Sequence, residues 1–397
     1  MIRNVKIAVF ALAGLAVAAA AALQAWGVSS WRADPLAAAS MWPANGEARG
    51  KVAEGLLNAQ LSKTEGQLVG KVSPEAVRMA RLALRADPRN ADALLVIAYA
   101  IVGVGDLKTA REIFTHIATQ TKRDRKANAW LAQYYLRNEE IETSLYYLDL
   151  VLRSGQDTRD QVIPVIVDAL QREAILPAVQ RLLEDDPPWA PRFWQIATQN
   201  SASLPKVGSL RRSVGVKNTA VAYEDDERLV SQLVARGEIE EARRVVAYLT
   251  SEGEGESVLN DAGFDSPARY APIGWRLASE GDYGATIYPE DSVMVVSALP
   301  GAFGVAASQL IRLKPGTYAL ELMAESEVPD GLKMTAWVRC DGQQRPNSRI
   351  VLEPKKRRVV GNVAGDCPDA WLEIQVQAAS DADPEEIVLE RIMLVRR

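Results

Sequence analysis

The sequence predicts a multidomain α + β protein with an N-terminal transmembrane helix, a solenoid of paired α-helices and a C-terminal antiparallel β-sandwich. Three observations support this class. An apolar run follows a short basic start, hydrophobic residues recur every 34 positions in the middle of the chain, and short alternating segments separated by turns fill its end. The length of 397 residues leaves room for two or three domains.

The N-terminus has the pattern of a membrane anchor. Residues 1–6 carry two basic side chains and precede an apolar run of 20 residues from Ile7 to Trp26. Such a run can cross a hydrocarbon core of about 30 Å as a helix. Because basic residues precede it, we expect a cytoplasmic tail, a single pass through the inner (plasma) membrane and a periplasmic body. A cleaved signal peptide is the alternative, since Ala20 and Ala22 form a small-x-small site.

Composition excludes several classes of function. The net charge of −5 does not favour a nucleic-acid partner. The chain has one histidine, His116, and two cysteines, which are too few for a Cys/His zinc site. A Ser-His-Asp or Cys-His triad would have to use His116, which lies among apolar positions of a predicted helix. We therefore expect a non-enzymatic protein with no catalytic residue, cofactor site or metal site.

The segment 27–56 is predicted to be a linker, and helical repeats are predicted over 57–250. Residues at i, i+3, i+4 and i+7 share one helical face, and this pattern returns after 34 positions, as from Ala98 to Ala132. One helical hairpin cannot bury its own apolar face, so neighbouring hairpins must stack. The residues predicted to pack between repeats are Leu94, Ala98, Ala110, Phe114, Ala132, Tyr135, Leu148, Ala178 and Leu182.

Two dipeptides give these repeats a family likeness. Gly105-Asp106 precedes a second helix, and Asp87-Pro88 follows one. With the 34-residue period, they resemble the tetratricopeptide repeat (TPR) family, which implies a surface that holds other proteins. The later repeats lack the closing proline, and residues 200–222, without clear periodicity, are predicted to be an insertion or loop.

After a short linker at 251–256, the pattern changes to that of a β-domain over 257–397. Turn signals such as Pro300-Gly301 and Asp341-Gly342 separate short alternating segments, as in an antiparallel sandwich. The predicted strands are 275–278, 292–298, 308–313, 318–324, 333–340, 349–352, 358–363, 371–377 and 387–396.

The order of segments in this domain resembles that of galactose-binding-like jelly rolls, including xylanase-type carbohydrate-binding modules. The likeness rests on an opening segment at 258–265, the sequence QLIRLKPGTYAL at 309–320 and an alternating closing strand at 386–394. It implies a jelly-roll fold and a structural Ca²⁺ near the opening segment, but it does not by itself imply sugar binding.

Cys340 and Cys367 lie in the same predicted domain. An even pair of cysteines in a translocated domain predicts a disulfide, and two buried thiols are the alternative.

Sugar binding usually requires exposed aromatic faces beside hydrogen-bonding groups. Trp275 and Trp337 fall within alternating strands, so we expect both in the core. Tyr283 and Tyr288 flank a turn-like segment, and with Asp282 they are the predicted ligand-binding candidates. Packing between domains is the alternative role for these side chains.

Together these features predict a membrane-anchored periplasmic scaffold or assembly protein. Its repeats would bind other envelope proteins, and its setting would be the production or export of an envelope polysaccharide. The alternative is a glycan-recognition protein that binds the polymer directly through the jelly roll. The choice between them rests on architecture and on no single residue.

Overall fold

The computed structural model describes residues 21–22, 24–26, 29–42, 44–64, 70–200, 202–215, 220–250, 258–279, 281–343, 346, 348–365, 367–381 and 385–397. The chain is helical in its N-terminal part and forms an antiparallel two-sheet β-sandwich at its C-terminus. It divides into two compact units, which end at Asp160 and Arg397. The predicted linker at 251–256 lies outside the described residues.

In the first unit, short connections join helices whose starts are fixed by side-chain caps. Asn45, Ser73, Asn90, Asp106 and Asp124 each accept a hydrogen bond from the backbone N–H three residues on, which satisfies an N–H group that has no partner inside the helix. The helices are α1 Pro35–Met41, α2 Gly46–Leu61, α3 Pro74–Ala86, α4 Ala91–Val102, α5 Leu107–Gln120, α6 Arg125–Arg137, α7 Ile141–Leu152 and α8 Gln156–Ala169, within which the first unit ends.

The segment 27–56, predicted to be a linker, instead contains α1 and most of α2. Small residues explain the difference, because they let α2 approach its neighbours closely. A Cβ atom on Gly50 would lie 2.2 Å from the side-chain oxygen of Asn90, and Ala53 and Leu57 are fully buried. The helix has little amphipathic contrast along its sequence, so periodicity alone does not reveal it.

The predicted repeat positions lie at or beside the contacts between helices. Ala98, Ala110, Phe114, Ala132 and Ala178 are buried. The larger side chains at the remaining positions are half-buried: Leu94, Tyr135, Leu148 and Leu182.

In the second unit, five further helices of the described residues precede the sandwich. They are α9 Leu176–Glu184, α10 Ala190–Ala197, α11 Leu204–Ser213, α12 Tyr223–Ala235 and α13 Ile239–Thr250. The predicted insertion at 200–222 therefore contains a helix, α11. Its buried Arg211 pairs with Asp226 of α12, an ionic contact that a search for apolar periodicity does not detect.

The sandwich consists of two five-stranded antiparallel sheets with the orders β1-β4-β9-β6-β7 and β2-β3-β10-β5-β8. The strands are β1 Arg276–Leu277, β2 Tyr283–Tyr288, β3 Val293–Ala298, β4 Phe303–Arg312, β5 Gly316–Ala324, β6 Leu332–Cys340, β7 Ser348–Leu352, β8 Arg358–Gly365, β9 Asp369–Ala378 and β10 Glu385–Arg396. Nine of them match predicted segments, and β2 was not predicted.

The sandwich core lies between the facing sides of the two sheets. Phe264, Trp275, Met334, Ile374 and Leu389 are among its buried side chains. The expectation that Trp275 lies in the core is confirmed.

Two local features hold the ends of the sandwich. The predicted disulfide between Cys340 and Cys367 is confirmed, and it joins the end of β6 to the segment before β9. Near β1 the backbone folds so tightly that a Cβ atom on Gly274 would lie 1.9 Å from the carbonyl oxygen of Arg269.

Candidate functional site

The candidate site is the outer face of the sheet β1-β4-β9-β6-β7. Alternation along β6 and β9 sends one set of side chains into the core and the other set outward. Antiparallel register places Trp337 opposite Glu373 and Arg339 opposite Trp371, so the two indoles are diagonal neighbours. We call this surface the tryptophan face and define it as Arg276, Thr335, Trp337, Arg339, Arg349, Trp371, Glu373 and Gln375.

Hydrogen bonds fix the centre of the tryptophan face. The Glu373 carboxylate accepts from the Trp337 indole N–H at 2.6 Å and from the Arg339 guanidinium at 2.8 and 3.2 Å. This contact raises the pKa of Arg339 above its ordinary value. The Glu373 carboxylate is thus engaged by three protein donors on a half-buried surface.

The second indole is oriented in the same way. Trp371 donates its N–H to the Asp341 carboxylate at 2.9 Å, and the Arg276 guanidinium carbon lies 5.6 Å from its ring centroid. A cation over an aromatic ring interacts with the negative face of the ring. Both tryptophans are therefore held in defined orientations while they remain half-buried.

Helix α13 bounds one end of this face within the second unit. Arg243 of α13 binds Asp369 at 2.8 Å, and Arg312 of β4 binds Glu240 of α13 at 3.1 Å. Between these ion pairs, Leu310 is buried although it lies on the outer side of β4. These ion pairs place α13 beside the Asp369 end of the tryptophan face.

The residues of the tryptophan face are suited to binding. A flat indole packs on the C–H face of a sugar or on an apolar side chain, and the amide, hydroxyl and guanidinium groups beside it bind polar groups. Glu373 already accepts three hydrogen bonds, so it is not positioned as a general acid. Within the described ranges, no group of three or more His, Cys, Asp or Glu residues could hold a metal ion.

The structure separates the ligand-binding residues predicted from the sequence. Tyr283 and Tyr288 lie at the two ends of β2 and, five residues apart, point to opposite sides of the sheet. The ring of Tyr283 packs against the core, where a Cβ atom on Gly304 would lie 2.0 Å from it. Tyr288 is 47% exposed and Asp282 is exposed, but neither lies on the tryptophan face.

The opening segment, where the family likeness implies a structural Ca²⁺, uses its carboxylates for local contacts. Asp261 accepts the backbone N–H groups of Asp265 and Ser266 at 2.7 and 3.2 Å, and Asp265 accepts the Ser292 hydroxyl at 2.7 Å. These oxygens therefore stabilise a turn.

A second surface lies on the first unit, where aromatic rings form a continuous array across α4–α7. Its rings are Tyr99, Phe114, Trp130, Tyr134, Tyr135, Tyr147 and Tyr146, and successive centroids lie 4.3–5.7 Å apart. Burial raises the pKa of Tyr99 at the inner end to about 12. Tyr146 at the outer end is 49% exposed, and nearby on the chain Leu136 is 47% exposed.

The single histidine and the end of the predicted membrane anchor are both exposed. His116 is exposed on α5 and contacts Gln120 at 2.8 Å. Ile7 and most of the predicted transmembrane run lie outside the described residues, and Trp26 at its end is 40% exposed. No helix in the described part of the chain is both long and apolar enough to span a membrane.

Sequence reasoning assigned Trp337 to the core, and this prediction was wrong. Alternation predicts that a segment is a strand, but the polar residues decide which of the two alternating sets of side chains faces the core. Lys333 and Arg339 share the parity of Trp337, and Glu373 shares that of Trp371, so a check of parity would have placed both indoles on the polar side.

Comparison with known proteins gives only partial structural likenesses. No family model matches the chain, and no curated protein matches it. Among solved structures, TmCBM61 in complex with β-1,4-galactotriose is 14% identical, with alignment over 36% of this chain and 100% of that one and a TM-score of 0.27. MamA protein is 13% identical, with alignment over 48% of this chain and 96% of that one and a TM-score of 0.26. Pseudomonas aeruginosa pilF is 15% identical, with alignment over 56% of this chain and 80% of that one and a TM-score of 0.23. Scores this low carry no argument about the fold or the function of this chain.

Proposed function

We propose that this chain is a non-enzymatic scaffold of the bacterial cell envelope that works in the production or export of a polysaccharide. In this proposal its helices are tetratricopeptide-type repeats that hold protein partners, and its sandwich is a jelly roll. Residues 7–26 anchor it in the inner membrane, with the body in the periplasm.

The aromatic array of the first unit is the observation that carries the scaffold role. Its inner rings form part of the core, whereas Trp130, Tyr134, Tyr135 and Tyr147 are half-buried and Tyr146 is exposed. Aromatic side chains contribute large contact areas at protein interfaces with little loss of conformational entropy. A protein partner could pack on these rings, whose contacts with one another already fix their positions.

Two features support the periplasmic location. A disulfide persists most readily in an oxidising compartment, and Cys340 and Cys367 form one. The basic residues before the apolar run favour the same orientation.

The test of the scaffold role is the variant Tyr146→Ala of the full-length chain, expressed in the organism from which the protein comes. We expect the variant to lose a co-purifying envelope protein and to lower polymer output, with no change in melting temperature. Tyr288→Ala is the matched control, because its ring is about equally exposed, at 47% against 49%, but lies on the sandwich. Unchanged partners and polymer in Tyr146→Ala would argue against this surface, and polysaccharide cleavage by the purified protein would refute the non-enzymatic role.

The tryptophan face favours a second candidate, direct recognition of a glycan by the sandwich. Two oriented indoles lie beside charged and amide groups, as sugar rings require. The test is binding of the full-length protein to an array of glycans, with Trp371→Ala as the variant. Loss of binding in this variant is expected, and failure of the wild-type protein to bind any glycan would eliminate this candidate.

A further inference from the structure

The tryptophan face carries more positive charge than its own carboxylates balance. Arg276, Arg339 and Arg349 surround the indoles, whereas its acidic partners are Glu373 and the adjoining Asp341. The protein as a whole has a net charge of −5, so this surface departs from the charge of the chain.

The two carboxylates are already engaged by groups of the face itself. Glu373 binds Arg339 and the Trp337 indole N–H, and Asp341 accepts from Trp371. Both oxygens of Glu373 and one oxygen of Asp341 thus accept hydrogen bonds from donors of the face itself.

Two guanidinium groups remain without a carboxylate. Arg276 is exposed and lies over the Trp371 ring, and Arg349 is exposed directly opposite Trp337 in the β6–β7 ladder. Within the ranges that the structure describes, neither forms an ion pair. One unpaired guanidinium therefore accompanies each indole.

This arrangement matches a sugar ring that carries a carboxylate. The indole packs on the C–H face of the ring, and a guanidinium binds a carboxylate through two parallel N–H···O bonds. A neutral sugar uses the indole but leaves the arginine in water. Diagonal neighbours in a sheet are roughly 7–8 Å apart, so two such units lie side by side.

We propose that the tryptophan face selects anionic, carboxylate-bearing glycans such as uronic acid polymers. This inference rests on the glycan-recognition candidate above and adds the chemical class of its ligand. Arg276 and Arg349 determine the preference for charge, and Trp337 and Trp371 provide the stacking surface common to charged and neutral sugars.

The experiment is titration calorimetry of the full-length protein in detergent. The probes are oligomers of polygalacturonate, alginate and hyaluronate, each paired with its carboxyl-reduced form. We expect at least one acidic oligomer to bind about tenfold or more tightly than its reduced partner, and this difference to shrink in high salt.

Variants separate charge from stacking. Arg349→Gln and Arg276→Gln should each weaken binding of the acidic oligomer about tenfold and leave the reduced oligomer within about twofold. Arg391→Gln, an exposed arginine on the other sheet, is the matched control and should change neither. Trp371→Ala should weaken both.

The outcomes distinguish this inference from the candidate on which it rests. Equal binding of acidic and reduced oligomers, lost in Trp371→Ala, would overturn the charge preference and keep glycan recognition. An acidic preference that persists in both arginine variants would also overturn it. Absence of binding to every oligomer, with binding to a neutral glycan on the array, would overturn the inference alone, whereas absence of binding to any glycan on the array would overturn glycan recognition as well.

Discussion

Replacing Asp226 with alanine tests how the helices of the second unit are held together. The Asp226 carboxylate accepts two bonds from the Arg211 guanidinium, at 2.7 and 2.9 Å, and the two side chains are 7% and 3% exposed. Arg211 also donates to the carbonyl oxygen of Gly215 at 3.0 Å. The substitution leaves a buried guanidinium with that single neutral acceptor, so we expect a loss of about 3–5 kcal/mol in the free energy of unfolding.

The same geometry predicts a much smaller effect when both charges are removed. Burial raises the pKa of the Asp226 carboxyl above its ordinary value, and the attraction of Arg211 opposes this only in part. The ion pair therefore contributes little net stability, because the cost of taking two charges out of water offsets their attraction. The double variant Arg211→Met/Asp226→Leu should lie within about 1 kcal/mol of the wild type or exceed it.

Urea unfolding provides the assay, followed by hydrogen exchange of the amides of α11 and α12 so that the second unit is observed separately. Comparing the single and double variants isolates the cost of the unpaired charge. A loss below about 1 kcal/mol for Asp226→Ala would show that the guanidinium finds water or another partner. Equal losses in the single and double variants would show that packing, and not charge, dominates at this site.

Three further predictions concern stability. Removing the disulfide by Cys340→Ser/Cys367→Ser should lower the free energy of unfolding by about 2–4 kcal/mol. The measurement is the melting temperature of the β-sandwich, which should fall in the variant, and reductant should lower it in the wild type only. Burial raises the pKa of Glu54, but hydrogen bonds from its two lysine partners outweigh this effect and lower the pKa below 4.5. The stability that the charged Glu54 contributes is therefore present above pH 4.5 and is lost as the pH falls through the lowered pKa. The difference in unfolding free energy between wild type and Glu54→Gln should therefore shrink in acid, and a difference independent of pH would contradict the assignment. Gly274→Ala should prevent stable folding of the sandwich because a backbone oxygen lies where the Cβ atom would be. Gly55→Ala is the control, since a Cβ atom there meets open space on α2, and thermal melts should show it to be neutral or stabilising by up to about 1 kcal/mol.

The sequence predicts the helices of the first unit from Pro74 onward well because their packing depends on local periodicity. The 34-residue spacing brings Ala98 and Ala132 to equivalent buried positions. It misses α2, where Gly50 and Ala53 pack by being small, and α11, where the buried Arg211 has the polarity of a surface residue. Close approach and charge pairing depend on partners distant in sequence, which a periodic pattern does not contain.

The candidate site was harder to predict than the fold. The segment that forms β2 contains glycine and polar residues, so Tyr283 and Tyr288 appeared to flank a turn, although they end a strand and point to opposite sides. Nor does the sequence predict that α13 covers the end of the sheet near Asp369, because that contact joins residues far apart in the chain. Which part of a sheet remains open depends on tertiary packing.

The position of α13 limits what the tryptophan face can bind. The ion pair of Asp369 with Arg243 closes the face at one end of β9, only two residues from Trp371. From Trp371 onward the strand continues to Gln377, a span of about 20 Å at ~3.4 Å per residue. A ligand that lay along β9 would therefore meet α13 beyond Trp371 and reach the exposed Gln377 at the other end.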